Sequence, residues 1–216
     1  MIRDFTINEF YFILNGAGAT LLLSLIAFIG GGIGGLLIAL ARTAPMAWLR
    51  NIVAVYIDVF QGTPLLMQLF VTYFGVVFLG FKLSPWTAVA IGLTLNASAF
   101  LGEIWRGGIE AVPKGQSEAS SALGLRYVNR MRYVVMPQAF KISLAPTVGY
   151  LVQLIKGTSL AAIIGFTELM RSGQIVSNAT YKPLLVFAIV GGIYFIICWP
   201  LSLLSENLER RLTIAR

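Results

Sequence analysis

The stretch AGATLLLSLIAFIGGGIGGLLIALA, from Ala17 to Ala41, decides the fold because it contains no charged residue and is long enough to cross a bilayer. A membrane-spanning helix needs roughly 20 consecutive apolar residues. In lipid, each backbone N–H and C=O group must find its partner within the same segment, which a helix provides. We therefore interpret this stretch as a membrane-spanning helix.

The composition of the whole chain also indicates a membrane protein. Of the 216 residues, 57% are hydrophobic and 12% are charged, and the mean hydropathy is +0.82. These values lie outside the range of ordinary soluble domains. The chain has no histidine, and its one cysteine, Cys198, lies inside an apolar run. Disulfide frameworks, zinc sites and histidine-based acid–base catalysis are therefore excluded.

Four more apolar segments follow along the chain, so we predict an all-α polytopic membrane protein with five membrane-spanning helices. Residues 1–216 would form a single transmembrane domain. An odd number of spans puts the two termini on opposite sides of the membrane. The predicted spans cover residues 17–41, 53–78, 86–109, 142–166 and 184–204.

Basic residues in the loops predict the orientation, because lysine and arginine are enriched on the cytoplasmic side. The N-terminus is expected outside and the C-terminus in the cytoplasm. The net charge of +7 comes largely from this bias, so we do not expect nucleic-acid binding. The predicted cytoplasmic side carries Arg42, Arg50, Lys114, Arg126, Arg130, Arg132, Lys141, Arg210, Arg211 and Arg216, and the other side carries Arg3, Lys82, Arg171 and Lys182.

The longest polar interruption, GQSEASSALGLRYVNRMRYVVMPQAF at residues 115–140, lies on the predicted cytoplasmic side. We predict a short helix over residues 116–123, with Glu118 in its first turn, where the helix dipole favours an anion, and with Gly124 at its end. A second helix would follow and stop at Pro137. The loop is either an interfacial connector with arginines at lipid headgroups or a docking element for a partner protein.

This loop resembles the EAA loop of ATP-binding-cassette importer permeases, in which E-A-A is followed by a glycine and later by a hydrophobic residue and proline. Here the pattern reads Glu118-Ala119-Ser120, Gly124 and Met136-Pro137, with Ser120 in place of the second alanine. Other segments are similar to the polar amino acid branch of that family, in the same order: FQGTPLL at 60–66, GEIWRGGI at 102–109, AVPKGQ at 111–116 and KGTSL at 156–160.

The resemblance implies a type I importer permease of the bacterial inner membrane. Such a subunit works with a second permease, identical or paralogous, with two ATP-binding subunits and with an extracytoplasmic amino-acid-binding protein. The short loop helix, roughly residues 115–125 within a coupling loop at 113–137, would transmit the closure of the ATPase to the membrane helices. The residues assigned to this coupling are Gln116, Ser117, Glu118, Ala119, Ala122, Leu123, Gly124 and Leu125.

The chain lacks the G-x-x-x-x-G-K-[ST] motif that cradles nucleotide phosphates. ATP and magnesium are therefore expected on the partner ATPase, and this chain is expected to be non-catalytic, without a metal or cofactor of its own. A stand-alone secondary transporter of small solutes is the alternative function. Such a transporter should contain a self-contained bundle or inverted repeats, and neither is visible in the sequence.

Polar residues inside the spans are candidates for a substrate path or for hydrogen bonds between helices. Pro64 should interrupt the second span, and loosened backbone at membrane depth is tolerated only against protein or a cavity. Glu103 and Arg106, three residues apart, are predicted to form a structural ion pair. The candidate path residues are Thr63, Gln68, Asn96, Gln153, Thr158 and Ser159.

Two glycine-containing segments carry further predictions. The run from Lys141 to Arg171 would measure about 46 Å as one helix at about 1.5 Å per residue, and a break at Gly157 would reconcile this length with the bilayer. Related permeases often have an acidic or amide residue at that position, which favours a paralogous partner. Close helix packing is predicted at the glycines of residues 30–35 and at Gly191 and Gly192.

Overall fold

The computed structural model of the chain describes residues 4–214, with side chains described through residue 211. Within this range the structure is helical and contains no β-strand, which confirms the predicted all-α class. Arg3 and Arg216, as well as both ends of the predicted domain, lie outside the described residues. The α-helices are α1 (Ile7–Arg42), α2 (Ala47–Gly62), α3 (Leu65–Phe70), α4 (Val76–Phe78), α5 (Pro85–Glu110), α6 (Lys114–Ala122), α7 (Tyr127–Arg130), α8 (Met136–Gly157), α9 (Leu169–Thr180) and α10 (Pro183–Ile214).

The helices that could cross a membrane agree in number with the prediction. By length and composition, four helical stretches of the described chain qualify, namely Ile7–Arg42, Pro85–Glu110, Tyr127–Ile164 and Pro183–Arg211. A fifth span is obtained when α2 and the helical segment Leu65–Phe78, which are bent by 107° at their junction, are counted as one.

The predicted limits of the first span were too narrow. Helix α1 begins at Ile7 rather than near Ala17, because the start signal lies upstream of the apolar run. Thr6 has extended backbone, and its N–H group donates to the Glu9 carboxylate at 3.0 Å. This hydrogen bond belongs to a capping box formed by Thr6 and Glu9, a pattern that fixes a helix start independently of hydropathy.

Glycines allow α1 to pack closely against α5. A Cβ atom built on Gly31 would lie 2.4 Å from the Cβ of Ala97, and one built on Gly35 would lie 2.9 Å from the backbone nitrogen of Gly102. Only glycine permits such an approach of two helix backbones. The packing predicted for residues 30–35 is therefore present.

Gly191 and Gly192 behave differently from the prediction. No atom of the described chain lies within 4 Å of a Cβ built on either residue. Only 17% of the most apolar 18-residue stretch of α10 is buried, so this helix directs most of its surface away from the other described residues. Close packing at this glycine pair does not occur within the chain.

The second span is broken where Pro64 predicted it. Helix α2 ends at Gly62, Pro64 has φ −62° and ψ 135°, and α3 begins at Leu65. An extended backbone at this point leaves carbonyl groups without helical partners. A π-helical turn over Val71–Gly75 then joins α3 to α4.

The coupling loop departs from the prediction at two points. Helix α6 begins at Lys114, so Glu118 lies beyond the first turn. Pro137 does not stop the following helix but lies at the first positions of α8. The helical path continues through it because a wider π-helical turn, Met131–Val135, directly precedes α8. Such a turn can accommodate the crowding that a proline ring imposes on the carbonyl group four residues earlier.

The helix is not broken at Gly157 as predicted: Gly157 has helical dihedral angles, and α8 changes there into a 3₁₀ helix over Thr158–Ile164, so that Tyr127–Ile164 is one continuous helical stretch. Gly165, with φ +87°, ends that segment. Helix α9 then lies between the predicted fourth and fifth spans and was not predicted. Its buried face consists largely of small and polar residues such as Ser172 and Gly173, which do not give a strong apolar pattern.

The two largest apolar clusters of the described residues join most of the long helices. The larger one joins α1, α3, α5 and α8 with the 3₁₀ helix and centres on Leu93, Ala97 and Leu101 of α5. The second one packs α9 between α1 and α10, with Leu169 fully buried in its centre.

Candidate functional site

Helix α6 is a short exposed helix, and a small apolar cluster holds the segment that leads into it against two long helices. Val112, between α5 and α6, is buried against Val135 and Ala139 at the start of the α8 path. Ile109, at the end of α5, packs on the same cluster. These contacts fix the segment that leads into α6 against α5 and the start of the α8 path.

Gly124 ends α6 in the left-handed backbone conformation, with φ +81°. The N–H group of Leu125 donates to the Ser120 carbonyl at 3.1 Å, and that of Gly124 donates to the Ser121 carbonyl at 2.9 Å. This pair of bonds is a Schellman motif. No atom lies within 4 Å of a Cβ built on Gly124, so the backbone angle, and not a lack of space, requires glycine here.

The side chains assigned to coupling form a mostly exposed surface. Ser117 and Leu125 are half-buried, and Leu123 is 83% exposed at the tip of the loop. Ser120, in place of the family's second alanine, is buried, and its hydroxyl donates to the Ser117 carbonyl at 2.9 Å. The remaining members are exposed: Gln116, Glu118, Ala119, Ala122 and Gly124.

The structure contains the ion pair predicted at the end of α5. The Arg106 Nε donates to the Glu103 carboxylate at 2.8 Å, and the Arg106 guanidinium also contacts Glu110. All three residues lie on one face of the last turns of α5, directly before the segment that leads to α6. The pair therefore stabilises the end of α5 to which α6 is attached.

Three of the candidate path residues meet at the break of the second span. The Gln68 side-chain nitrogen donates to the Phe60 carbonyl at 2.7 Å and to the Thr63 carbonyl and hydroxyl oxygens, each at 3.0 Å. Gln68 thus satisfies carbonyl groups that the break exposes. Its side-chain oxygen accepts a hydrogen bond of 2.9 Å from the amide of Asn96 in α5.

Asn96 extends this network to α8. Its side-chain oxygen accepts a hydrogen bond of 3.1 Å from the hydroxyl of Tyr150, whose ring stacks on Phe100. Asn96 and Tyr150 are both buried. The side-chain amides of Gln68 and Asn96 are therefore engaged by groups of the chain itself, which links the break to two long helices.

The other three candidate path residues lie outside this network. Gln153 is exposed on α8, whereas Thr158 is fully buried and donates to the Ile155 carbonyl at 2.7 Å. Ser159 donates to the Lys156 carbonyl at 2.7 Å, and both residues line a groove of about 280 Å³ between α8, α9 and α10.

We expect the two amide-bearing positions to differ in their contribution to stability. Asn96→Leu leaves a Gln68 oxygen and the Tyr150 hydroxyl without partners, and should lower the free energy of unfolding by about 1–3 kcal/mol. Gln153→Leu should change it by less than about 0.5 kcal/mol, because the residue is exposed. Thermal unfolding of the detergent-extracted protein measures both values. Equal midpoints for the two variants would contradict the network described above.

A second polar network, around Glu168, was not predicted from the sequence. Glu168 is fully buried just before α9 and contacts Thr20 of α1 and Tyr194 of α10. The signal that could have found it is an acidic residue directly before a helix, where a carboxylate can cap the first N–H groups. The predicted spans leave residues 167–183 as a loop, and a helix start is not expected within a loop.

Known proteins resemble the chain over nearly its full length. Residues 31–214 match the family described as "Binding-protein-dependent transport system inner membrane component". The chain is 38% identical to the probable amino-acid ABC transporter permease protein YckA of Bacillus subtilis, over 95% of this chain and 91% of that protein. It is 37% identical to the glutamine transport system permease protein GlnP of Escherichia coli, over 94% of this chain and 93% of that protein.

Solved structures agree with these relatives. A structure described as an amino acid ABC transporter with histidines superposes with a TM-score of 0.89 at 34% identity, over 98% of this chain and 100% of that one. The methionine ABC transporter MetNI in an inward-facing conformation shares the fold with a TM-score of 0.79 at 21% identity, over 96% of this chain and 99% of that one. The chain therefore belongs to the family of binding-protein-dependent transport system inner membrane components, as an amino-acid ABC transporter permease subunit.

Proposed function

We propose that this permease subunit forms one half of the translocation path for a polar amino acid and that helix α6 couples it to a separate ATP-hydrolysing subunit. The observation that carries the proposal is the construction of α6. It is exposed and ends at Gly124 in a left-handed turn, and Val112, two residues before it, is buried in a cluster with Val135 and Ala139 that joins the end of α5 to α8. An element built in this way can receive a push from a partner and pass it to membrane helices.

The nature of the substrate is inferred from the relatives. Their names include an arginine, an L-cystine and a glutamine transport system permease, at 36%, 38% and 37% identity. These solutes are amino acids with polar groups beyond the backbone. A polar amino acid is therefore the substrate class that we propose for this chain.

The path is proposed to form together with a second permease. Gln153 is exposed on α8 within a span, and a polar side chain at membrane depth faces protein or water rather than lipid. Much of α10 is likewise uncovered by the rest of the chain. A second permease, identical or paralogous, would cover such surfaces and complete the path.

The orientation is proposed with the N-terminus outside and the C-terminus in the cytoplasm. The direction rests on the distribution of lysine and arginine, and two contacts support the grouping of the segments, because each joins segments that the charge pattern assigns to the same side. Lys182 donates to Asp4 at 3.2 Å on the predicted outer side. The Tyr127 hydroxyl donates to the Thr43 carbonyl at 3.5 Å on the predicted cytoplasmic side.

Reconstitution into proteoliposomes tests the proposal. Uptake of a polar amino acid should require ATP, the cognate ATPase, the second permease and the external binding protein together. Omission of the ATPase should reduce uptake to background, and non-hydrolysable ATP should do the same. Uptake driven by an ion gradient without the ATPase would overturn the proposal and favour a secondary transporter.

A further inference from the structure

Glu168 is a carboxylate without any solvent exposure, placed directly before α9. Its two oxygens accept hydrogen bonds from the backbone N–H groups of Met170 at 2.9 Å and Arg171 at 2.8 Å. These are N–H groups of the first turn, which have no partner within the helix. Glu168 therefore caps α9.

Two further donors reach Glu168 from other helices. The Thr20 hydroxyl of α1 lies at 3.3 Å and the Tyr194 hydroxyl of α10 at 3.0 Å, both from the Glu168 Oε2. Thr20 also accepts the backbone N–H of Leu169 at 3.2 Å. A buried charge is tolerated only when its partners compensate the loss of water. Four donors around an acceptor-only group meet that condition and tie three helices to one point.

Close packing prevents α9 from shifting away from this point. A Cβ built on Gly16 of α1 would lie 2.4 Å from the Ser172 hydroxyl oxygen, and one built on Gly173 would lie 2.6 Å from Val190 of α10. Helix α9 is therefore in van der Waals contact with α1 and α10 within two turns of Glu168. Any movement of α9 carries Glu168 and its partners with it.

Tyr194 connects this cap to the groove beside the junction of α8 and the 3₁₀ helix at Gly157. The groove of about 280 Å³ is lined by Lys156, Ser159, Met170 and Tyr194, together with apolar residues of α10. Within the described part of the chain, Lys156 makes no ion pair. The Tyr194 hydroxyl thus donates to Glu168, and its side chain lines a groove that is also lined by the Lys156 ammonium group and the Ser159 hydroxyl.

We infer that Glu168 is a positioning residue for transport, which acts by fixing Tyr194 at the wall of the Lys156–Ser159 groove. The inference rests on the proposed function, because it requires this groove to border the proposed translocation path. Without the carboxylate, the Tyr194 hydroxyl would lose its acceptor, and only the packing of the ring against two apolar clusters would hold the side chain in place. The hydrogen bond between Tyr194 and Glu168 also links α9 to the groove. The position of α9 and the shape of the groove wall therefore depend on each other.

The test compares Glu168→Gln, Tyr194→Phe and the double variant in the reconstituted complex. Each single variant should lower uptake per assembled complex about tenfold, which corresponds to the loss of one hydrogen bond to a charged group. The double variant should be no slower than the slower single variant, because Tyr194→Phe removes the bond to Glu168 and Glu168→Gln weakens that same bond by removing the charge of its acceptor. Glu206→Gln, at an exposed carboxylate further along α10, is the matched control and should transport normally.

A second readout reports the groove without relying on transport. Ser159→Cys in a Cys198→Ala background places a single thiol at the groove, and its alkylation by a water-soluble maleimide is timed. Glu168→Gln and Tyr194→Phe should change that rate about tenfold in the same direction, in keeping with the loss of the same bond. Glu206→Gln should leave it unchanged.

The outcomes distinguish failure of the positioning role of Glu168 from failure of the proposed function. Normal uptake and unchanged alkylation in the Glu168 and Tyr194 variants, or effects that multiply in the double variant, would overturn the positioning role. If Glu168→Gln fails to assemble, uptake and alkylation are compared between Tyr194→Phe and Thr20→Val instead. Both variants keep the carboxylate that caps α9, and each removes one donor to it. If the unaltered complex itself does not transport an amino acid with its ATPase, the proposed function fails instead.

Discussion

Replacement of Gly124 by arginine is expected to abolish amino-acid uptake and the stimulation of ATP hydrolysis, while the protein still inserts and folds. Gly124 lies at the exposed end of α6 with φ +81° and open space around it. An arginine there would strain the backbone by about 1–2 kcal/mol and project a long charged side chain beside Leu123. Folding should tolerate this cost, whereas docking of the helix in a partner groove should not.

Two matched variants separate backbone strain from obstruction of the docking surface. Gly80 also has a left-handed backbone, with φ +87° and open space, but it lies in the loop before α5. Gly80→Arg should therefore keep uptake, and Gly124→Ala should lose only part of it. Uptake and ATPase rates in proteoliposomes, normalised to the assembled complex, give the comparison. Normal uptake by the Gly124→Arg complex would remove α6 from the coupling route.

Gly31→Leu is expected to have the largest effect on stability. The new Cβ would lie 2.4 Å from the Cβ of Ala97, which cannot move without its helix. Overpacking of this kind should cost about 3 kcal/mol or more of the free energy of unfolding. The variant should be recovered poorly from membranes and lose its thermal transition in detergent.

Gly18→Leu serves as the control for this variant because it makes the same change on the same helix. No atom lies within 4 Å of a Cβ built on Gly18, and the residue is exposed. It should be recovered and should unfold like the unaltered protein. Equal recovery of the two variants would mean that α1 does not pack on α5 as described.

The sequence predicted the parts of the fold that depend on hydropathy and backbone chemistry. Long apolar segments predicted the number of spans, and Pro64 predicted the break in the second one. These features are local, so a short window of residues determines them. The glycines of residues 30–35 also predicted close packing, although not the partner helix.

The parts that the sequence did not predict depend on contacts between distant residues. Helix α9 was missed because its buried face is small and polar and matches its neighbours α1 and α10 rather than a general apolar core. Pro137 was expected to stop a helix, but the π-helical turn before it allows the path to continue. Asn96 was a candidate for the path, and its partners, 28 and 54 residues away, could not be identified from spacing.

The eight coupling residues were assigned from the resemblance, and the structure adds how their helix is held. The Schellman motif at Gly124 follows from the glycine itself. The buried cluster beside the start of α6, which joins the end of α5 to α8, could not be predicted, because Val112 and Val135 look like ordinary loop and interfacial residues in the sequence. A link between helices becomes visible only once the chain is folded.

Site-directed cross-linking from residue 123 tests the role of α6 most directly. Leu123→Cys in a Cys198→Ala background provides one thiol at the exposed tip of the helix, and a short bifunctional reagent is applied to the assembled complex in the presence and absence of ATP. We expect a covalent adduct with the ATP-hydrolysing subunit, formed from the cytoplasmic side, with a yield that changes when ATP is added. A thiol that reacts with an impermeant reagent from outside, or that never joins the ATPase, would contradict the account.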